Sequence, residues 1–204
     1  MGGMFDPVHN GHIETALQVR KFLSLDEMRL MPCARPPHRG SAVVSSEHRI
    51  AMLNLAVSAY KELIVDDREC RREGVSYAFD SLLSIKQENP EATLFFVLGT
   101  DAFNAFDSWY RWNEIFSLCH LVLIQRPGFE LTLSEALSKE YERRKESDVA
   151  KLALVTEGKI FIPLSSDIAL SSTKVRHKLD SSKALENEVQ DSVAKYIQVN
   201  QLYR

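Results

Sequence analysis

Five short apolar runs rich in β-branched and aromatic residues recur along the chain: 28–33 (MRLMPC), 63–66 (LIVD), 93–99 (TLFFVLG), 121–125 (LVLIQ) and 159–164 (KIFIPL). Runs of this length predict strands. Three longer stretches, 11–23, 46–60 and 77–88, look helical. In the second, Ile50, Leu53, Val57 and Tyr60 recur at helical spacing, and Ser45 or Ser46 can cap the start. Asn89-Pro90 stops the third. Strands alternating with helices predict an α/β protein with helices on both faces of a parallel sheet. Consecutive right-handed crossovers make that sheet doubly wound. Residues 131–150 carry dense charge of both signs, which suits a solvated helix or loop insertion better than a binding arm. Over 185–204, Leu185, Val189, Val193 and Ile197 repeat every four residues and predict a carboxyl-terminal helix packed on the core.

The opening, MGGMFDPVHNGH, moves straight from two glycines into a helical pattern. A glycine pair lets the backbone turn sharply and approach a ligand closely. Pro7 fixes the next turn, and the helix over 11–23 then begins. His12 falls in its first turn, beside N–H groups that suit an anion, and His9 three residues earlier can converge on the same group. Two imidazoles at a helix start form a phosphate cradle whose donors can follow charge growing on a phosphoryl oxygen. An HxxH pair could instead hold zinc, but no cysteine or third histidine stands nearby to complete a ligand set. Neither GxxxxGK[ST] nor GxGxxG is present, so the stretch is a phosphate loop of unstated type.

Three further segments carry candidate chemistry. Ser171-Ser172-Thr173 precedes a short helical pattern and can either cap it or offer donors to an anion. Gly99-Thr100-Asp101 follows the strongest strand, at the end where open α/β sheets bind ligands; Asp101 can also cap a helix beginning at Ala102. Trp109-Tyr110 offers an aromatic platform, whereas Trp112 fits a core position better. His48, His120 and His177 belong to no motif and are read as structural.

Composition narrows the function classes. The chain has 204 residues and a formal net charge of −3, which disfavours wholesale binding to nucleic acid. Cys33, Cys70 and Cys119 have no pairable or metal-like spacing and read as reduced thiols. No apolar run approaches a membrane span, so the expectation is a cytoplasmic protein with neither membrane nor nucleic-acid partners.

GGMFDPVHNGH resembles the GGTFDPxHxGH signature of the HxGH nucleotidyltransferase superfamily, with Met4 in place of the usual Thr. Leu170–Arg176 (LSSTKVR) resembles its second signature, ISSTxxR. Between them stand Pro36-Pro37-His38-Arg39, Ser76–Ser81 (SYAFDS), Gly99-Thr100-Asp101, Trp109-Tyr110 and Arg126-Pro127-Gly128, followed at the end by Leu202-Tyr203-Arg204. In this order and spacing they are similar to the bacterial nicotinate-nucleotide adenylyltransferases over essentially the whole chain.

The resemblance implies a Rossmann-like nucleotidyltransferase fold: a single domain over 1–204 with a helical segment at 171–204. It implies transfer of the adenylyl group of ATP to nicotinate mononucleotide, giving nicotinate adenine dinucleotide and pyrophosphate. His9, His12 and Arg176 would be catalytic. Gly3, Met4, Phe5, Gly99, Asp101, Ser171, Ser172 and Thr173 would join them in binding ATP, Asp101 through ribose hydroxyls. His38, Arg39, Ala78, Trp109, Tyr110 and Arg126 would bind the mononucleotide. The chain itself would hold no metal, and Mg²⁺ would accompany ATP. Two positions depart from the family: Arg39 replaces a common Lys, and Ala78 replaces a Thr whose hydroxyl sits beside the nicotinate carboxylate. Alternatives are a sister enzyme taking nicotinamide mononucleotide, both acceptors or phosphopantetheine, and a catalytically silent nucleotide-binding protein. The family also has an apolar strand directly before its glycine pair. Only Met1 precedes Gly2 here, so the expectation is that the chain lacks its natural first residues and that the glycines end a missing central strand.

Overall fold

In the computed structural model, which describes residues 1–37, 42–125, 130–163, 170–181 and 184–203, the chain forms two units, Met1–Val75 with Ile168–Arg204 and Ser76–Asp167. The first begins with β1 (Gly2–Gly3), α1 (Asn10–Phe22), β2 (Met28–Pro32), α2 (Ser46–Val57), β3 (Leu63–Val65) and α3 (Arg68–Arg71). Its three strands are parallel in the order β1-β2-β3, with Gly2 opposite Met31 and Met28 opposite Leu63. Gly2 and Gly3, expected to end a strand, form the two-residue β1 themselves. Both are strand residues, and Cys33 N donates to Gly3 O at 2.9 Å. Gly3 tolerates no side chain easily, because a Cβ would meet the Phe5 ring at 3.1–3.3 Å.

On α1, the buried residues Ile13, Ala16 and Val19 follow helical spacing. On α2 the core face is turned from the expected one: Arg49 is buried, with Met52, Leu53, Ala56 and Val57, while Ile50 is only half-buried. The rotation has a polar cause, since Arg49 Nη1 donates to Met4 O at 2.8 Å and to Cys33 O at 2.7 Å.

The second unit comprises α4 (Ala78–Glu88), β4 (Phe95–Gly99), α5 (Thr100–Phe103), a 3-10 turn (Phe106–Ser108), α6 (Trp112–Ile115), β5 (His120–Ile124), α7 (Glu135–Arg144), β6 (Lys145–Glu146), α8 (Val149–Leu152) and β7 (Ile160–Phe161). Its strands are parallel in the order β4-β5-β7-β6. β5 is buried at every residue, as a strand covered on both faces must be. The charged stretch at 131–150 is more than an insertion. It supplies α7, anchored by buried Leu137, and the short charged edge strand β6. His120 is structural: its Nε2 donates to Val155 O at 3.0 Å and its Nδ1 accepts from Lys159 N at 3.1 Å.

The first unit closes with α9 (Ser172–Asp180) and α10 (Asp191–Val199). The expected helix over 185–204 is therefore shorter than its periodicity. Val189 is buried ahead of α10, and the Glu188 carbonyl accepts from Asn10 N at 2.8 Å. Tertiary hydrogen bonding to the start of α1 takes carbonyls that a longer helix would need internally. Among the described residues, no helix is long and apolar enough to cross a membrane.

Candidate active site

The segment between β1 and α1 is built inward. Phe5 has a left-handed φ of 49° and a fully buried ring that meets His12 edge-on at 4.9 Å. His9 has extended backbone and forms the N-cap of α1, which places His12 at the third helical position. His9 N donates to His12 Nδ1 at 3.2 Å, and the two rings stack with centroids 3.7 Å apart. An imidazole whose Nδ1 accepts a hydrogen bond carries its proton on Nε2 when neutral. The spacing thus brings the two rings together at the start of α1, with His12 the more exposed of the two.

The second signature reaches the same loop. Ser171 caps α9 by accepting from Lys174 N at 3.3 Å. Ser172 Oγ donates to Pro7 O at 2.9 Å across 165 residues of sequence. Arg176 donates from Nη1 to Asp6 O at 2.6 Å and from Nη2 to Thr173 Oγ1 at 3.3 Å. Arginine has five N–H donors, so these two bonds leave others for a phosphate. Ser172 has only one hydroxyl hydrogen, directed at Pro7, so in this geometry it positions the loop instead of donating to an anion.

Three residues at this site have no role assigned from the sequence. Asp6 is buried; its Oδ2 accepts from Val43 N at 2.6 Å and its Oδ1 accepts from the Tyr203 hydroxyl at 2.7 Å. Burial, and then the bond to Asp6, pushes the Tyr203 phenol well above its ordinary value. Arg49 ties the end of β1 to the end of β2. Sequence signals existed for both acidic and aromatic partners, in the FDP of the opening and in the closing LYR. Arg49 gave none, because a charged helical residue ordinarily reads as solvated.

In the second unit, Gly99 is the N-cap of α5 and Asp101 lies within its first turn, so Asp101 is not the cap. Ala78 is the first residue of α4, whose eleven residues start at the Tyr77 N-cap. The first N–H groups of a helix have no partner within it, so Ala78 sits among donors suited to an anion. Tyr110 reaches this helix start: its ring lies 4.5 Å from Tyr77 and 6.3 Å from Phe79. Trp109 is half-buried and its ring packs on Phe96 and Phe106, while its backbone N–H donates to Phe106 O at 3.0 Å. Trp112 is likewise half-buried, against Phe106 and Phe116. The exposed aromatic of the pair is therefore Tyr110. His38, Arg39 and Arg126 lie outside the described residues.

Residues 1–178 match the family model described as cytidylyltransferase-like. A Pseudomonas entomophila protein named "Probable nicotinate-nucleotide adenylyltransferase" is 42% identical over 205 residues, covering 100% of this chain and 93% of that one. A Methylococcus capsulatus protein of the same name is 38% identical over 203 residues, covering 99% and 97%. The fold is similar to that of the Plasmodium falciparum nicotinic acid mononucleotide adenylyltransferase complexed with NaAD. That match has a TM-score of 0.75 at 18% identity and covers 99% of this chain and 94% of the other. With the two signatures joined at one loop, the Rossmann-like α/β fold and these full-length relatives, the chain belongs to the nicotinate-nucleotide adenylyltransferase family of cytidylyltransferase-like proteins.

Proposed function

We propose that the protein is an enzyme that transfers the adenylyl group of ATP to nicotinate mononucleotide, releasing pyrophosphate and forming nicotinate adenine dinucleotide. The convergence of Arg176 and Ser172 on the carbonyls of Asp6 and Pro7 carries the reading, because it joins both signatures around the paired histidines. Phosphoryl-group transfer leaves little covalent work to the protein, so positioning and charge neutralisation dominate. A phosphate oxygen of the acceptor attacks the α-phosphorus in line, and pyrophosphate departs with its charge growing. His12, donating from Nε2, and the remaining N–H groups of Arg176 stabilise that charge, with His9 beside them. Gly3, Met4, Phe5, Ser171 and Thr173 line the nucleotide phosphates, and Asp101 with Gly99 takes the ribose.

The acceptor's ring and carboxylate are assigned to the second unit. The first-turn N–H groups at Ala78 suit a carboxylate, and Trp109 and Tyr110 provide aromatic surface. His38, Arg39 and Arg126 are proposed for the acceptor phosphate. The described residues contain no cluster of three or more His, Cys, Asp or Glu able to hold a metal ion. Both Asp6 carboxylate oxygens are already hydrogen-bonded. Mg²⁺ would accompany ATP, held by its phosphate oxygens and water, where it would neutralise phosphate charge.

His12→Ala tests the reading. Turnover should fall roughly 10²–10⁴-fold with the fold intact, the range for losing a donor or acid at a developing charge. ATP affinity should change less. Turnover within a few-fold of the parent would remove His12 from catalysis.

A further inference from the structure

Asp6 makes three connections from one buried residue. Its main-chain oxygen takes Arg176 Nη1, Oδ2 takes Val43 N, and Oδ1 takes the Tyr203 hydroxyl. The first ties the histidine loop to α9, the second to the segment leading into α2, and the third to the segment after α10. The Tyr203 bond spans 197 residues of sequence and is the one side-chain donor to this carboxylate among the described residues.

α10 ends in a Schellman-type turn, with Gln201 left-handed at a φ of 51° and Leu202 N returning to Ile197 O at 3.0 Å. Beyond that turn Tyr203 is itself left-handed, with a φ of 62°. Residues with a Cβ enter that region at a cost, and bulky ones persist there only where surrounding contacts determine them. Tyr203 is only 8% exposed, so its ring and hydroxyl are both committed inward. A segment needed only to cover α10 could do so with an apolar residue in ordinary backbone. The hydroxyl instead holds a carboxylate one residue from Pro7 and three from His9.

We infer that Tyr203 is a positioning residue for catalysis: through Asp6 it fixes the Asp6–His12 loop against Arg176, so that the histidines meet the departing phosphates in register. Tyr203 touches neither substrate nor the reacting atoms. The inference rests on the adenylyl-transfer reading, but its geometry can be examined without turnover. Losing the hydroxyl leaves the carboxylate with one donor fewer and lets the loop sample other positions. Because Asp6 binds Val43 and Arg176 independently, the loop should loosen without unfolding.

The test compares the parent, Tyr203→Phe, Asp6→Asn and the double variant at a temperature where all are folded. Tyr203→Phe should lower kcat about tenfold, the order expected for one hydrogen bond to a charged group, with KM for ATP within about twofold. The double variant should match the worse single variant, because both act through one contact. Val193→Ala, which opens a cavity at a buried position of α10 and removes none of the Asp6 hydrogen bonds, serves as a control of comparable or greater destabilisation and should leave kcat unchanged. Amide exchange over residues 4–12 should quicken in Tyr203→Phe and not in Val193→Ala. Unchanged kcat in Tyr203→Phe, multiplicative losses in the double variant, or unchanged exchange over the loop would each overturn the inference. A parent without turnover but with the loop-specific exchange change would count against adenylyl transfer alone.

Discussion

Arg176 Nη1 donates to the Asp6 carbonyl at 2.6 Å, so a helix beginning at residue 172 holds a loop that begins at residue 4. The guanidinium also donates to Thr173, which fixes its plane. Lysine offers a point charge and cannot reproduce a two-direction fork. Arg176→Lys should therefore lower kcat/KM about 10²-fold, in the range for one lost transition-state donor. Thr173→Ala, which removes a neutral acceptor from the fork and a hydroxyl proposed to line the phosphates, should cost about 2–10-fold. Steady-state kinetics on both variants check the order; a Lys variant as active as the parent would show that charge alone suffices.

Arg49 is buried and bonded to two carbonyls, while its Nε has no partner among the described residues. Arg49→Met fills similar volume and strands both carbonyls, which costs about 1–3 kcal/mol for each group left unsatisfied. Removing the unpartnered Nε offsets part of this. A net loss of roughly 2–5 kcal/mol is expected in urea unfolding. No loss would mean that the carbonyls find other donors.

His120 gives a pH dependence with a definite sign. Burial, opposed mainly by its bond to Val155 O, holds the imidazole pKa below its ordinary value. The unfolded chain then binds the proton first, so stability falls as pH drops from about 6.5 toward the folded value. Above that window the group contributes no slope. Melting temperature measured from pH 7.5 to pH 5 should fall less steeply in His120→Gln than in the parent. Parallel curves would remove His120 from the acid sensitivity.

The strands were legible because β4 and β5 are continuous apolar runs, and the motifs because their spacing places His9 and His12 on one helix start. Other features were hidden for physical reasons. The four-residue repeat at Leu185 and Val189 marks a half-buried and a buried position that are not helical, since Asn10 takes the nearby carbonyls of Asn187 and Glu188. Arg49 occupies a core position that a hydrophobic pattern assigns to Ile50. The Asp6–Tyr203 bond joins residues 197 apart, beyond any local signal. Trp109 was legible as aromatic surface, but its packing on Phe96 and Phe106 depends on the folded core.

Ala78 should govern how strictly the acceptor carboxylate is preferred. It lies at the first position of α4, among the first-turn backbone N–H groups, and itself carries no hydroxyl. Ala78→Thr adds that hydroxyl. One hydrogen bond to a charged group is worth about 1.5–3 kcal/mol, so the kcat/KM ratio of acid over amide should rise roughly tenfold to a hundredfold. An unchanged ratio would show that residue 78 does not face the carboxylate.

The most direct measurement of the central claim is pyrophosphate release by the parent protein with ATP and Mg²⁺, supplied in turn with nicotinate mononucleotide, nicotinamide mononucleotide and no acceptor. The expected result is acceptor-dependent release that is fastest with nicotinate mononucleotide, with nicotinate adenine dinucleotide formed in equal amount. Equal kcat/KM for the acid and the amide would contradict nicotinate specificity. No acceptor-dependent release from a protein that still binds ATP would contradict adenylyl transfer itself.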